Sequence, residues 1–315
     1  APPRRSGVVT TLGVVIPSYG RPDALARCLA AIRTQQRTPD DVVVALRAAD
    51  LESAEVASAA ACRVVTTEAP GVLAAMIAGT RALATDLVCF TDDDAVAPSE
   101  WLVRLVALFD SSPRVGGAGG RDVIIDPDGT PRSERLTSSV GRVAWFGRHV
   151  GNHHVGSGPA RDVAFLKGVN SAYRRAALGL PVGLRGDGAE AHYEIAVGRY
   201  ARSKGWRLVY DPSVQVEHHP APRNGIDQRE GPDAAAVSDA SYNLVVAIGG
   251  ARGLARVPYA VLAGDRGSPG LARAAVAAVH GDAATRARLV PSLRGTIEGG
   301  WALMTRRGVR YETFA

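Results

Sequence analysis

A chain of 315 residues, 46% hydrophobic and 22% charged, has an ordinary globular balance and enough length to bury one large core or two smaller ones. Its three cysteines, Cys28, Cys62 and Cys89, are odd in number, lack Cys-x-x-Cys spacing and lie among apolar residues, which argues against disulfides and cysteine zinc sites and for buried thiols in a reducing, cytoplasmic setting. The net charge of +6 is almost wholly arginine, with Lys167 and Lys204 the only lysines, and these cations are scattered rather than set in a stripe with aromatics, so nucleic acid is not the expected partner.

Residues 8–16 read as a first strand, closed by Pro17-Ser18-Tyr19-Gly20. A helix is expected over residues 22–34, with Leu25, Cys28, Leu29 and Ile32 on one face at helical spacing. Strands follow at 41–46 and 62–66, a helix at 71–83, and a strand at 87–90. This alternation predicts an α/β sheet with mainly parallel strands. Ligands of such sheets collect outside the carboxyl ends of the strands, where Tyr19-Gly20-Arg21, residues 47–50 and residues 92–94 converge.

The most informative stretch is Thr91-Asp92-Asp93-Asp94, where three carboxylates emerge from a buried strand. Adjacent anions repel and resist desolvation, which full solvation or a hard divalent cation relieves. In an extended segment Asp92 and Asp94 point the same way and Asp93 turns aside. The competing reading is an acidic turn or helix N-cap before Pro98-Ser99-Glu100-Trp101-Leu102.

Four segments in order carry a resemblance. Val14-Val15-Ile16-Pro17-Ser18-Tyr19-Gly20-Arg21-Pro22, the acidic triplet, Phe165-Leu166-Lys167-Gly168-Val169-Asn170-Ser171-Ala172-Tyr173-Arg174-Arg175 and the closing stretch at residues 205–218 resemble family 2 glycosyltransferases of the GT-A fold, over residues 8–222. The resemblance implies a Rossmann-like, mostly parallel sheet flanked by helices, with a nucleotide-binding half at 1–110, an acceptor-binding half at 111–222 and a C-terminal helical extension at 223–315. It implies inverting transfer of a sugar from a nucleoside diphosphate sugar, UDP- or GDP-linked, to a hydroxyl of a saccharide, glycolipid or small natural product.

The same resemblance assigns residues. Asp92, Asp94 and His218 would hold Mg²⁺ or Mn²⁺, which stabilises charge on the leaving diphosphate. Pro17, Tyr19, Arg21, Arg47, Asp50, Asp92 and Asp93 would contact the donor, and Trp145, Lys167, Gly168, Asn170 and His192 the sugar or acceptor. The family's Glu-Asp pair is replaced by Gly188-Ala189-Glu190-Ala191-His192-Tyr193-Glu194, so the general base is assigned to Glu194, with Glu190 as competitor. The usual Asp-Asp-Gly-Ser turn after the second strand is replaced by Arg47-Ala48-Ala49-Asp50, where Asp50 serves equally well as a base contact or a helix N-cap.

Residues 121–162 read as an acceptor-side flap; His153-His154 inside it lacks metal-site spacing, and Gly116-Gly117-Ala118-Gly119-Gly120 reads as a flexible strand segment rather than a dinucleotide fingerprint. After Pro220-Ala221-Pro222-Arg223-Asn224-Gly225 the chain alternates apolar patches with Arg252, Arg256, Arg266, Arg273, Arg286, Arg288 and Arg294. These are helices that pack on the transferase domain or a basic amphipathic face that touches anionic lipid. No apolar stretch reaches bilayer-spanning length and Ala1-Pro2-Pro3-Arg4-Arg5 precedes no signal-peptide core, so a cytoplasmic protein, peripheral at the membrane at most, is expected. Two other classes are a sugar-phosphate nucleotidyltransferase, which should open with a Gly-rich, Arg- and Lys-bearing loop, and a non-catalytic nucleotide-sugar-binding relative, which should have lost one of the acids.

Overall fold

The computed structural model describes residues 10–221 and 233–314. The start of the first predicted strand, residues 8–9, and the boundary expected at 222/223 therefore lie outside the described residues. The amino-terminal half alternates as far as β4: β1 (Leu12–Pro17), α1 (Pro22–Arg33), β2 (Asp41–Arg47), α2 (Leu51–Ala59), β3 (Arg63–Thr67), α3 (Val72–Ala82) and β4 (Leu87–Phe90), then the short β5 (Ala95–Val96) and α4 (Trp101–Asp110). The bounds of β1, α1, β2, β3, α3 and β4 lie within a few residues of those read from the sequence, which gave none for α2, β5 and α4. The strands β3, β2, β1 and β4 are neighbours in that order and all parallel.

The second half contains β6 (Val115–Ile124), the small separate ribbon of β7 (Arg142–Val143) and β8 (His149–Val150), β9 (Arg161–Asp162), β10 (Ser171–Arg174), β11 (Gly179–Val182), α5 (Tyr193–Ser203) and β12 (Arg207–His218), of which β6, β9, β10 and β12 complete the sheet. Here β10 inserts antiparallel between β4 and β6, and β12 runs parallel to β6 with β5 and β9 antiparallel on it. Alternation along the strands supplies a core on each face. Val14 and Ile16 join Leu25, Leu29, Trp101 and Phe109 beneath α1 and α4, whereas Val15 joins Leu73, Met76, Phe90, Tyr193 and Val197 beneath α3 and α5.

The glycine run is not flexible. Residues 116–120 form the buried centre of β6, between β10 and β12. A β-carbon on Gly120 would lie 1.8 Å from the Val214 carbonyl oxygen, at the point where β12 skips register between Asp211 and Gln215. Glycine is required there because a neighbouring backbone bulges into its space.

The C-terminal region is helical, as expected, with α6 (Ala234–Ile248), α7 (Gly250–Leu262), α8 (Leu271–Val279), α9 (Ala283–Ala287) and α10 (Leu289–Met304). It ends in β13 (Arg310–Thr313), which pairs antiparallel with β11 and returns the chain to the sheet-bearing half. Not all of its arginines face outward: Arg256 is 1% exposed and donates to the Gly147 carbonyl and the Asp265 carboxylate. Among the described residues no helix is long and apolar enough to cross a membrane.

Candidate active site

The exits of β1, β2 and β4 form one wall of a cleft. Pro17, Tyr19, Arg21, Arg47 and the three aspartates line it, with Val72 and Ala75 of α3 and residues 187–189 opposite. Tyr19 is half exposed, and the Arg47 guanidinium sits over its ring at 5.7 Å, a cation–π pair at the cleft mouth. Asp50 does not join them. It is buried as the N-cap of α2, one oxygen accepting from the Ser53 N–H at 3.3 Å and the other from the Gly20 N–H at 2.6 Å. Both oxygens are spent on the backbone, so its role is to tie the β1 and β2 exits together.

The triplet divides its labour. Asp93 accepts from the Ser18 hydroxyl and from the Arg21 guanidinium, each at 2.8 Å, and so turns toward the β1 exit. Asp94 accepts from the Ala221 N–H at 3.0 Å and lies 3.3 Å from Nε2 of His218 and 3.6 Å from Arg21. His218 arrives there because the last residue of β12 pairs with Ala95, the first residue of β5, directly after the triplet. One ligand atom each from Asp92, Asp94 and His218 lies within 4.8 Å of the others, and among the described residues no other group of three metal-ligating side chains gathers in this way. The triplet is not a helix cap, since α4 begins only at Trp101.

The electrostatics follow from crowding. Burial and the neighbouring Asp94 push the Asp92 carboxyl up to about 6. Burial opposes the charge of Asp94 as well, but His218, the Ala221 N–H and Arg21 bring it down to about 2. Burial disfavours charged His218, yet its contacts with Asp122 and Asp94 carry the imidazole up to about 9. Asp122, fully buried, sits 3.6 Å from Nδ1 of His218 and takes the Lys167 ammonium on the same oxygen. Lys167 and His218 hold its carboxyl well below the usual range despite burial.

A second cleft opens on the other side of Asp92, lined by Lys167, Gly168, His192, Tyr193, Glu194 and His218, with residues 124–127 at its edge. Part of the segment read as a flap does border it, residues 127–136 are exposed, and another part is packed: His153 is buried with Nε2 3.0 Å from the Phe165 carbonyl oxygen. Glu194 occupies the first turn of α5, and His192 is its N-cap in a left-handed conformation with its ring against His149. Burial and His149 keep the His192 imidazole neutral.

Glu190 is placed differently. Its carboxylate accepts from the Leu73 N–H at 2.8 Å and caps α3, while the Gly188 carbonyl takes the Val72 N–H at 2.8 Å. A β-carbon on Gly71, whose φ is +99°, would meet that carboxylate at 2.4 Å. Burial raises the Glu190 carboxyl to about 7.

Two expected acceptor contacts are elsewhere. Trp145 is 76% exposed and stacks edge-on against Phe146, which packs on Tyr259 of α7; it lines neither cleft. Asn170 is wholly buried, accepting from the Trp101 indole at 2.9 Å and donating to the Arg121 and Val214 carbonyls at 3.1 and 3.0 Å. Those bonds fasten the β12 bulge to β6 and α4, and no group is left for a ligand. Asn170→Ala should therefore cost about 3 kcal/mol, since it removes three bonds and strands buried partners. Urea unfolding measures it; unchanged stability with lost turnover would return Asn170 to the acceptor site.

The sequence profile described as Glycosyltransferase like family 2 matches residues 10–230. No curated protein matches the chain. Among solved structures, GalNAc-T7 with UDP, GalNAc and Mn²⁺ is 16% identical at a TM-score of 0.56, covering 77% of this chain and 48% of that one, so this chain spans about half its length. The mannosyltransferase PcManGT from Pyrobaculum calidifontis, with GDP-Man and Mn²⁺, is 16% identical at a TM-score of 0.52, covering 96% of this chain and 89% of that one. Glucosyl-3-phosphoglycerate synthase from Mycobacterium tuberculosis, with phosphoglyceric acid, is 18% identical at 0.51, covering 78% and 85%. At these identities the structures speak to the fold, which is the GT-A plan; the family comes from the profile, which spans most of the chain. This protein is a glycosyltransferase and belongs to glycosyltransferase-like family 2.

Proposed function

We propose that the protein transfers a sugar from a UDP- or GDP-linked donor to an acceptor hydroxyl with inversion, in a reaction that depends on Mg²⁺ or Mn²⁺. The observation that carries this reading is Asp92, which lines both clefts and stands within 4.8 Å of Asp94 and His218. Two carboxylates and an imidazole suit a divalent cation. Both ring nitrogens of His218 are buried without a hydrogen bond of good geometry, so one would be open to the ion once the imidazole gives up its proton. Asp92, Asp94 and His218 would hold the ion, which when bound supplies charge stabilisation for the leaving diphosphate.

The chain's own groups do the rest. Pro17, Tyr19 and Arg47 flank the nucleoside, and Arg21 supports the diphosphate side through Asp93 and Asp94. Glu194, across the second cleft from Asp92, takes the proton of the acceptor hydroxyl as that oxygen attacks from the face opposite the leaving group. Lys167 and His192 border the sugar and acceptor.

Asp122 is a positioning residue that sequence reasoning did not find. It presents one oxygen to His218 and receives Lys167 on it, so it orients the imidazole as an outer-shell carboxylate does at metal centres. Asp122→Asn should weaken Mn²⁺ affinity by roughly 10- to 100-fold, as read by calorimetry on the protein alone. The overall reading is tested by screening UDP- and GDP-sugars for Mn²⁺-dependent thermal stabilisation. No Mn²⁺-dependent shift with any of them would overturn it.

A further inference from the structure

The helix α10 is amphipathic the wrong way round for a helix that faces water. Its inner face is small: Gly295 packs so closely on α6 that a β-carbon there would lie 1.9 Å from the Ser238 carbonyl oxygen, and Ser292, Gly299 and Gly300 are buried beside it. Four of its large apolar side chains point outward, while Leu303 packs inward. Val290, Ile297, Trp301 and Met304 are 73%, 58%, 63% and 62% exposed. At 3.6 residues per turn these four fall within an arc of roughly 60°. Of the fifteen exposed large hydrophobic residues among those described, nine lie on α7, α8 and α10, so the exposure is concentrated rather than scattered.

Charge is concentrated in the same segment. Residues 271–310 hold seven arginines against Asp282 and Glu298 as the only acids. Arg294 is exposed beside the stripe, and Arg306 and Arg307 are exposed immediately after Met304. A second copy of the chain meeting this face about a two-fold axis would set like charges against each other. An anionic bilayer meets both features at once, apolar side chains entering the interface and guanidinium groups reaching phosphates, with Trp301 at headgroup level.

The geometry points to α10 as a docking face for an anionic phospholipid surface, with Val290, Ile297, Trp301 and Met304 inserted and Arg294, Arg306 and Arg307 on the headgroups. This is a sharper form of the lipid-facing alternative read from the sequence, and it excludes Arg256, which is buried. The inference is independent of the donor chemistry, and its test uses no turnover.

The experiment is co-sedimentation of the full chain with vesicles of phosphatidylcholine containing phosphatidylglycerol, against phosphatidylcholine alone. Binding to the anionic vesicles that weakens with salt is expected. Arg306→Glu with Arg307→Glu should lower partitioning by at least about tenfold, at roughly 1 kcal/mol per basic residue near the surface. Brominated lipid should quench the wild-type tryptophan emission, and Trp301→Phe should remove that quenching while leaving the melting temperature unchanged. The wild-type quenching gives the answer even if a variant folds poorly. Absence of binding at low salt, binding indifferent to both substitutions, or a dimer in sedimentation velocity that Trp301→Ser dissociates would each overturn the proposal.

Discussion

Glu194→Gln should lower kcat by roughly 10²- to 10⁴-fold, the range of a general base, while leaving donor binding intact. The amide is isosteric with the carboxylate but cannot take a proton, so only the transfer step is lost. The paired control is Glu190→Gln. Its amide oxygen still accepts from the Leu73 N–H, so the cap on α3 survives and turnover should change by only a few-fold. The two acids are four residues apart and compete for the base in the sequence, which favours Glu194, and the structure gives them different neighbours: Glu190 faces the start of α3 and Glu194 lines the cleft shared with Asp92 and His218. Single-turnover kinetics alongside Mn²⁺-dependent donor binding checks both. Wild-type turnover in Glu194→Gln with a dead Glu190→Gln would exchange the roles.

What the sequence revealed was local. The βα alternation, the apolar face of α1 and the emergence of residues 92–94 at a strand end all depend on neighbours a few positions away. The long-range reach to His218 was legible only through the family resemblance, and the structure supplies its physical cause in the pairing of β12 with β5. Other roles turned on packing that no local pattern records. Asp50 and Glu190 have side chains suited equally to a ligand or to a helix cap, and each is a cap. Asn170 sits in the segment from which an acceptor contact is expected, but its amide answers the Val214 carbonyl exposed by a register skip that cannot be seen in composition or period. Asp122 had no signal at all, because its contact with His218 joins residues 96 positions apart through the parallel register of β6 and β12. Trp145 was chosen for its chemistry, and its backbone carries it to α7 instead.

Asp94→Ala should weaken metal-dependent donor binding by roughly 100-fold at little cost to the fold. The fold argument is electrostatic. Removing Asp94 leaves Arg21 paired with Asp93 and His218 beside Asp122, so neither cation is stranded, and it relieves the repulsion that raises Asp92. The binding argument is that one of three clustered ligand atoms disappears from the junction of the two clefts. A loss of roughly 100-fold in donor affinity is expected, at the upper end of what outer-shell changes cause at metal sites. For wild-type protein at a donor concentration about 100 times Kd, ligand linkage raises stability by about 2.7 kcal/mol, and the same concentration stabilises the variant by only about 0.4 kcal/mol. Thermal melts with Mn²⁺ and donor, and with each alone, separate this from damage to the fold: the apo melting temperature should hold while the shift collapses. Asp93→Asn provides the contrast, because Asp93 faces Ser18 and Arg21 and its loss should lower the apo melting temperature while a Mn²⁺-dependent shift persists. If Asp94→Ala kept the wild-type shift, the cation would have to sit away from the triplet.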